Sequence, residues 1–197
     1  MRFYNVIIFS VKCAGFVLAG GRSSRMGSDK ALLPFQGRTL VEHVAAQVHQ
    51  AFGNVTLVGD PAKYSYFSYP VIRDIYPACG PLSGIHAALA TSRAEWNVIV
   101  ACDMPELTAG LLARMLERAQ NGNAYAVIPV GPSGLPEPLC AAYNHRALEG
   151  IKQAIERGVR KVMDALDGLE IDLWRVPDCR PFHNLNTPAD WTSYRHG

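Results

Sequence analysis

The sequence lacks three features that would assign it to a broad class at once: an excess of one charge, a long apolar run and an even set of cysteines. Its 19 Lys and Arg oppose 17 Asp and Glu, so the net charge of +2 gives no general attraction to nucleic acid or an anionic membrane. No stretch approaches the roughly 20 apolar residues of a membrane-spanning helix. The five cysteines form no C-x-x-C pair, which argues against a disulfide framework and a zinc ribbon. We therefore expect a cytoplasmic protein that binds neither nucleic acid nor membrane.

The chain also lacks several common catalytic and nucleotide-binding motifs. Its glycine spacing gives neither the G-x-G-x-x-G of dinucleotide-binding folds nor the G-x-x-x-x-G-K-[ST] of P-loop proteins. Its six histidines show no metal-ligand spacing such as H-E-x-x-H, and no Ser/His/Asp order stands out. Cys102 ends an apolar stretch, where a cysteine is more often a small core residue than a nucleophile. We predict no covalent catalysis.

What the chain does contain is an alternation of short apolar runs with amphipathic stretches. Its 197 residues, 49% apolar and 18% charged, are typical of one globular domain spanning residues 1–197. The alternation predicts an α/β fold with a mostly parallel, doubly wound, Rossmann-like sheet, helices on both faces, and ligands outside the carboxyl ends of the strands. The predicted strands cover residues 14–18, 54–58, 71–74, 97–101, 124–130, 139–143 and 170–176, and the predicted helices cover 39–52, 81–91, 108–119, 145–157 and 160–166.

Residues 1–11 precede the first predicted strand and allow two interpretations. They form either an extra edge strand or a mis-assigned start of the chain. Their apolar run imitates a short secretory signal, but Lys12 interrupts it before Cys13, and the segment that follows is needed for the first strand. We therefore expect no cleavage of a signal peptide.

Residues 18–30, L-A-G-G-R-S-S-R-M-G-S-D-K, follow the first predicted strand directly, and we call them the glycine loop. Three glycines allow a tight turn whose backbone N–H groups can approach phosphate oxygens. Arg22, Arg25 and Lys30 add positive charge suited to a polyphosphate. The composition favours a phosphate-binding loop over the alternative, a glycine turn that carries a solvated basic segment.

Asp103 follows the most apolar predicted strand and precedes a proline-containing turn. Its carboxylate would lie at the carboxyl edge of the sheet, where a hard cation that bridges phosphates is expected. The alternative role is a cap on the next turn, since Asp before such a turn is ordinary turn chemistry. Asp74 ends another predicted strand, and its spacing alone fits a turn residue equally well.

Three further segments allow both a binding and a structural interpretation. Gly80 and Gly84 bracket a helix start, where the backbone either approaches a base or ribose or simply turns. Asn184 and Asn186 offer amides to a ligand, or only precede a helix that Thr187 caps.

The third segment, at residues 160–161, places two cations at a predicted helix start, where negative charge is usually preferred. The mismatch indicates either an anionic ligand or an exposed basic turn.

The glycine loop resembles the signature L-A-G-G-x-S-x-R-M-G-x-D-K of nucleotidyltransferases of the molybdenum cofactor guanylyltransferase type. Three later segments are similar to further motifs of that family and follow in the same order: G-P-L-S-G at 80–84, C-D-M-P at 102–105 and N-L-N-T-P at 184–188. Residues 135–141 resemble a family strand that faces the acceptor, so Glu137 is either an acceptor contact or a loop carboxylate. Together the resemblance covers residues 15 to about 191.

The resemblance implies transfer of GMP from GTP to molybdopterin, which yields the guanine dinucleotide form of the cofactor and pyrophosphate. It implies Mg²⁺ on Asp103, bridging phosphate oxygens, and charge stabilisation by Arg25 and Lys30 as catalytic residues. The implied nucleotide contacts are Leu18, Ala19, Gly20, Gly21, Lys30, Asp74, Gly80 and Asp103. The implied acceptor contacts are Arg160, Lys161, Asn184 and Asn186.

Gly20 favours a purine nucleotide, because a glycine leaves no Cβ where the backbone passes the nucleotide. In the similar cytidylyl-transferring relatives the loop typically reads L-A-A-G, with Ala at this position. The alternatives are a related transferase that uses CTP or a sugar phosphate, and a non-catalytic GTP-binding subunit that delivers the cofactor to partner enzymes. Both Lys30 and Asp103 are present, which favours catalysis, because binding alone needs no metal carboxylate. Partner proteins would belong to cofactor biosynthesis or be target molybdoenzymes.

Overall fold

The computed structural model describes residues 13–19, 29–76 and 79–185 of the chain. Within these ranges, seven strands form a central sheet and two form a hairpin. The strands are β1 Cys13–Leu18, β2 Pro34–Phe35, β3 Arg38–Thr39, β4 Thr56–Val58, β5 Val71–Ile72, β6 Trp96–Ala101, β7 Ala126–Val130, β8 Cys140–Asn144 and β9 Ile171–Arg175. The helices are α1 Leu40–Phe52, α2 Pro61–Tyr64, α3 Pro81–Thr91, α4 Ala109–Gln120, α5 Leu148–Glu156 and α6 Val162–Ala165, with 3-10 turns at Lys30–Leu32, His145–Ala147 and Arg180–Phe182. In the part of the chain described, no helix is long and apolar enough to cross a membrane.

The central sheet has the strand order β5-β4-β1-β6-β8-β7-β9. Six strands run in one direction, and β8 runs against both of its neighbours, β6 and β7. The predicted mostly parallel, doubly wound sheet is therefore confirmed. The chain first adds β4 and β5 on one side of β1 and then returns to place β6 on the other side. In open α/β sheets, ligands bind at such a reversal, which here lies outside the carboxyl ends of β1 and β6.

Helices cover both faces of the central sheet, as the alternation predicts. On one face, α1 and α4 pack together, and Val44 and Leu112 join Val17 in one buried cluster. On the other face, α3 packs with α5, and Ile85 joins Phe16 in a second cluster. Because neighbouring strand residues point to opposite faces, Phe16 and Val17 contribute to different clusters. Burial of apolar surface on both faces holds the strand ends in fixed positions.

The ends of α1 follow from local sequence. Its first turn has a capping box: the Glu42 amide donates to the Thr39 hydroxyl at 3.4 Å, and the Thr39 amide donates to the Glu42 carboxylate at 2.8 Å. Gly53 ends the helix in the left-handed conformation, at φ 71°. The predicted end of this helix is confirmed, and its start differs by one residue because Thr39 is the cap.

Other predicted boundaries differ for physical reasons. The predicted strand over 54–58 begins later, at Thr56, because the Asn54 side chain accepts from the Gly15 amide at 2.9 Å and donates to the Cys13 carbonyl at 3.3 Å. The predicted helix over 145–157 begins as a 3-10 turn, since Asn144 caps that turn, and continues as α5. The predicted helix over 160–166 is reduced to the four residues of α6.

The hairpin of β2 and β3 is missing from the predicted elements. Its two central residues, Gln36 and Gly37, have φ of 47° and 80°, as a type I′ turn requires. A Gln-Gly pair is not among the Asn-Gly or Asp-Gly signals of such turns, so the sequence gives little indication of it. The hairpin connects the glycine loop to the capped start of α1.

Candidate active site

An ion pair joins the end of the glycine loop to the end of β6. The Lys30 ammonium lies 2.8 Å from Oδ2 of Asp103. Lys30 begins the first 3-10 turn, and Asp103 follows closely on the last residue of β6, Ala101. The two side chains are 15% and 20% exposed, so water screens their charges only partly. The fold therefore brings together the two residues that the sequence assigns to polyphosphate and to metal.

The other carboxylate oxygen of Asp103, Oδ1, is a buried acceptor. Among the described residues it has no hydrogen-bond partner. The backbone around it is fixed from two directions: the Cys102 amide donates to the Leu18 carbonyl at 3.2 Å, and the Leu185 amide donates to the Asp103 carbonyl at 3.0 Å. A buried carboxylate oxygen is costly unless a cation or a donor reaches it. Asp103 therefore fits a divalent cation, with Oδ1 as the candidate ligand atom.

Two further oxygen-bearing side chains belong to the surroundings of Asp103. Asn184 directly precedes Leu185, which is bonded to Asp103, and within the described residues its buried Oδ1 lacks a partner. Glu137 lies between β7 and β8, where burial raises its pKa and the charge of Asp103 raises it further. Mg²⁺ prefers such oxygen ligands, and it commonly takes one or two carboxylates together with substrate phosphates. Residues 13–19, 29–76 and 79–185 hold no group of three or more His, Cys, Asp or Glu suited to a metal, so substrate oxygens would have to complete the shell.

Asp74 and Gly84 lie near Leu18, where the glycine loop begins, and Gly80 caps the helix that contains Gly84. A Cβ placed on Gly84 would lie 2.9 Å from Cδ2 of Leu18 and 3.5 Å from Oδ1 of Asp74, so the glycine lets both approach α3. Gly80 caps α3 with φ 65° and ψ −153°, a conformation that side chains disfavour. The Asp74 residue is exposed, but neighbouring atoms desolvate its carboxyl and raise its pKa. Of the predicted nucleotide residues, Leu18 and Asp74 therefore both lie against α3, the helix that Gly80 caps.

Several predicted site residues cannot be placed in this geometry. Gly20, Gly21, Arg25 and Asn186 lie outside the described residues, and their roles stay predictions. Ala19, at the start of the glycine loop, is fixed by its amide, which donates to the Val58 carbonyl at 2.9 Å.

Arg160 and Lys161 are exposed in the segment between α5 and α6. The Arg160 guanidinium donates to the carbonyl oxygens of Val159 at 2.9 Å and of Ile155 at 3.4 Å. These bonds satisfy backbone acceptors beside the end of α5 and give Arg160 a structural role. The acceptor-binding role of both cations stays a prediction.

Sequence reasoning missed three residues at the base of the glycine loop, Asp29, Lys63 and Tyr64, which we call the loop-end cluster. The Tyr64 hydroxyl lies 2.6 Å from the Ala19 carbonyl oxygen and 2.9 Å from Oδ2 of Asp29. The Lys63 ammonium lies 3.0 Å from the same Oδ2. The position of Asp29 directly before Lys30 was an available signal. Nothing in the sequence around Tyr64 distinguishes it from an ordinary core aromatic residue.

Comparison with known proteins identifies the family of this chain. Residues 15–169 match the family model described as the MobA-like NTP transferase domain. A relative from Flavobacterium johnsoniae, named probable molybdenum cofactor guanylyltransferase, is 32% identical over 171 residues, which cover 87% of this chain and 89% of the relative. A relative of the same name from Carboxydothermus hydrogenoformans is 33% identical over 182 residues, covering 89% of this chain and 91% of the relative.

A solved structure shows the same architecture. The molybdopterin-guanine dinucleotide biosynthesis protein A from Archaeoglobus fulgidus superimposes with a TM-score of 0.80 at 28% identity, covering 93% of this chain and 97% of that one. The predicted family resemblance is therefore confirmed, and the chain belongs to the MobA-like NTP transferase family of nucleotidyltransferases.

Proposed function

We propose that this nucleotidyltransferase transfers GMP from GTP to molybdopterin, forming the guanine dinucleotide cofactor and releasing pyrophosphate. The observation that carries the proposal is the partly buried pair of Lys30 and Asp103, which joins the end of the glycine loop to β6 at the reversal of strand order. The pair offers a cation for phosphate and a carboxylate for a metal in one place. The names of the similar proteins support the guanine nucleotide and the pterin acceptor.

The chemistry asks the protein for positioning and charge neutralisation. A phosphate oxygen of molybdopterin attacks the α-phosphorus of GTP, a new P–O bond forms, and the bond to the β-phosphate oxygen breaks, so that pyrophosphate leaves. The attacking phosphate is already ionised near neutral pH, and no side chain has to accept a proton. Lys30, with Arg25, would stabilise the triphosphate and the charge that develops on the leaving pyrophosphate.

Mg²⁺ is the cation that we propose for Asp103. Oδ1 of Asp103 would be its protein ligand, with the amide oxygen of Asn184 as a neighbouring candidate. When bound, the ion would supply positive charge to the phosphate oxygens. Its remaining ligands would come from substrate and water, as is common for this metal.

The acceptor would bind on the side of Asp103 that faces the C-terminal segment. Asn184 belongs to this side because Leu185 is bonded to the Asp103 backbone. Glu137 lies near enough to Asp103 for the charge of that carboxylate to raise its pKa, and it stays a candidate acceptor contact. We retain Asn186, Arg160 and Lys161 as proposed contacts to the pterin and its phosphate.

Guanine selectivity would depend on polar groups as well as on space. Gly20 leaves room for a purine, but one methyl group is a small basis for selectivity. The backbone of residues 18–20 and Asp74 are the candidate hydrogen-bonding groups for the base. ATP would be rejected because its exocyclic amine presents a donor where O6 of guanine presents an acceptor, which leaves a buried donor unpaired.

The experiment that tests the proposal offers the protein each of the four nucleoside triphosphates with Mg²⁺ and molybdopterin, and measures pyrophosphate and dinucleotide. We expect kcat/KM for GTP to exceed that for CTP and ATP by at least tenfold, about 1.4 kcal/mol. Equal or better use of CTP would overturn the guanylyl assignment while leaving the nucleotidyltransferase assignment intact. Binding of GTP without pyrophosphate release would instead indicate a non-catalytic subunit.

A further inference from the structure

The two ends of the glycine loop contact one side chain. Tyr64, the last residue of α2, is 1% exposed, and its hydroxyl lies within hydrogen-bond distance of the Ala19 carbonyl and of the Asp29 carboxylate. Ala19 directly follows β1, and Asp29 directly precedes Lys30. In sequence, residues 20–28 connect the two contacts, so a single hydroxyl joins the ends of the segment that carries the phosphate-binding signature.

Asp29 is held on both of its carboxylate oxygens. Oδ1 accepts from the Ala31 amide at 3.2 Å, which caps the 3-10 turn that Lys30 begins. Oδ2 accepts from the Tyr64 hydroxyl at 2.9 Å and from the Lys63 ammonium at 3.0 Å. The orientation of Asp29 is therefore coupled to the turn that directs Lys30 towards Asp103.

The hydroxyl of Tyr64 remains a donor under ordinary conditions. Burial and the hydrogen bond to Asp29 raise the pKa of Tyr64 well above its usual value, so the phenol keeps its proton. A phenol has one proton for its two acceptors, Ala19 and Asp29, and they must share it. Both acceptors would lose this donor together if the hydroxyl were removed.

We infer that Tyr64 is a positioning residue for nucleotide binding: through Ala19 and Asp29 it fixes the two ends of the glycine loop before the nucleotide binds. This inference rests on the proposed function, since it takes the loop to be a triphosphate site. Ordering a loop upon binding costs conformational entropy and weakens affinity. A loop whose ends are already fixed in the folded protein loses less conformational entropy when the ligand binds. Tyr64 also holds the Lys30 ammonium beside Asp103, because Asp29, which Tyr64 contacts, directly precedes Lys30 in the chain.

The test is Tyr64→Phe, which removes only the hydroxyl. The Kd for GTP with Mg²⁺ is measured by calorimetry without acceptor, together with the Tm. We expect the Kd to rise about tenfold, the scale of a lost hydrogen bond that involves a charged group. KM for molybdopterin should stay unchanged, which separates a loop effect from general damage. An unchanged Kd for GTP with a lowered Tm would overturn the inference, because it would indicate a structural role only.

Tyr143→Phe is the matched control. Tyr143 is fully buried, and its hydroxyl donates to the Pro138 carbonyl at 2.6 Å, so the same group is deleted away from the glycine loop. We expect a comparable loss of Tm with a Kd for GTP within twofold of wild type. An equal loss of GTP affinity in both variants would overturn the inference.

Asp29→Asn provides a second, independent variant. Its single amide oxygen can accept from either the Ala31 amide or the Tyr64 hydroxyl, whereas the two carboxylate oxygens of Asp29 accept from both, and it removes the charge that Lys63 contacts. We expect a three- to fivefold rise in Kd for GTP, and a double variant with Tyr64→Phe that loses less than the product of the single losses. If Tyr64→Phe fails to fold, an unchanged Kd in Asp29→Asn overturns the inference by itself.

Failure of the inference and failure of the proposed function give different results when all four nucleoside triphosphates are tested. If wild type binds CTP instead of GTP and Tyr64→Phe weakens CTP about tenfold, the guanylyl proposal fails and the inference holds. If wild type binds GTP and Tyr64→Phe binds it equally well, only the inference fails. If wild type binds none of the four, both fail.

Discussion

Lys30 and Asp103 form an ion pair that is withdrawn from water more than the pairs on the protein surface. Arg118 contacts Asp172 at 2.6 Å, but its side chain is 46% exposed. Exposed pairs of that kind contribute little to stability. A pair as enclosed as Lys30 and Asp103 has a desolvation cost that often cancels its attraction, so stability alone is a weak reason for its position. A ligand that uses both charges is a better reason.

Replacement of Lys30 tests this reasoning at the residue scale. We predict that Lys30→Ala lowers kcat about 10²-fold or more, roughly 3 kcal/mol, because it removes one charge from a preorganised site. Steady-state kinetics with GTP and molybdopterin measure the loss. The control is Arg114→Ala, which removes an exposed cation from α4 and should leave kcat unchanged. If Arg22→Ala proves far more damaging than Lys30→Ala, the cations of the glycine loop have been assigned in the wrong order.

At the element scale, the packing of β1 against α1 depends on the absence of one side chain. A Cβ on Gly15 would collide with Cγ1 of Val48 in α1 and lie 3.0 Å from the backbone oxygen of Asn54. The second contact is with backbone, which cannot rotate away. β1 leads directly into the glycine loop, so its position under α1 also sets where that loop begins.

We therefore predict that Gly15→Ala lowers the free energy of unfolding by about 2 kcal/mol, the usual scale of overpacking. Urea unfolding followed by circular dichroism measures it. The matched control is Gly110→Ala, since a Cβ there meets nothing within 4 Å and α4 gains up to about 1 kcal/mol of helix propensity. A Gly15→Ala protein as stable as wild type would show that β1 and α1 are less tightly packed than the structure indicates.

Elements governed by neighbouring residues were predictable from the sequence. The bounds of α3, Pro81–Thr91, follow from a glycine and proline at its start and an apolar interior. The later start of β4 was not predictable, because it depends on bonds from Asn54 to β1, a different strand.

In the candidate site, local sequence identifies some of the residues but not the contacts between them. Lys30 and Asp103 each stand out by local chemistry, but their pairing joins residues 73 apart and depends on which strands become neighbours. The role of Tyr64 depends on where α2 folds back against the glycine loop, 45 residues from Ala19. The family resemblance located the motifs without revealing either contact.

At the scale of the whole molecule, the candidate site connects elements that are distant in sequence. The end of β1 is bonded to Cys102 and to Val58, and the backbone of Asp103 is bonded to Leu185 in the C-terminal segment. A nucleotide and its metal at this point would contact both sides of the strand-order reversal. Ligand binding should therefore stabilise the fold as a unit.

We predict that saturating GTP with Mg²⁺ raises the Tm, and that the increase depends on Asp103. At 100 times its Kd a ligand adds about 2.7 kcal/mol to the free energy of unfolding, which corresponds to about 5–10 °C for a chain of this size. Thermal unfolding is followed with GTP in the presence of Mg²⁺ or of a chelator. Asp103→Asn should fold, lose turnover, and lose the Mg²⁺-dependent part of the increase, because an amide is a poorer ligand than a carboxylate for a hard cation. Asp172→Asn is the control: it too removes the carboxylate of an ion pair, the surface pair with Arg118, and should keep the full increase. An Asp103→Asn protein with the wild-type, Mg²⁺-dependent increase and wild-type turnover would contradict the assignment of Asp103 as the metal ligand.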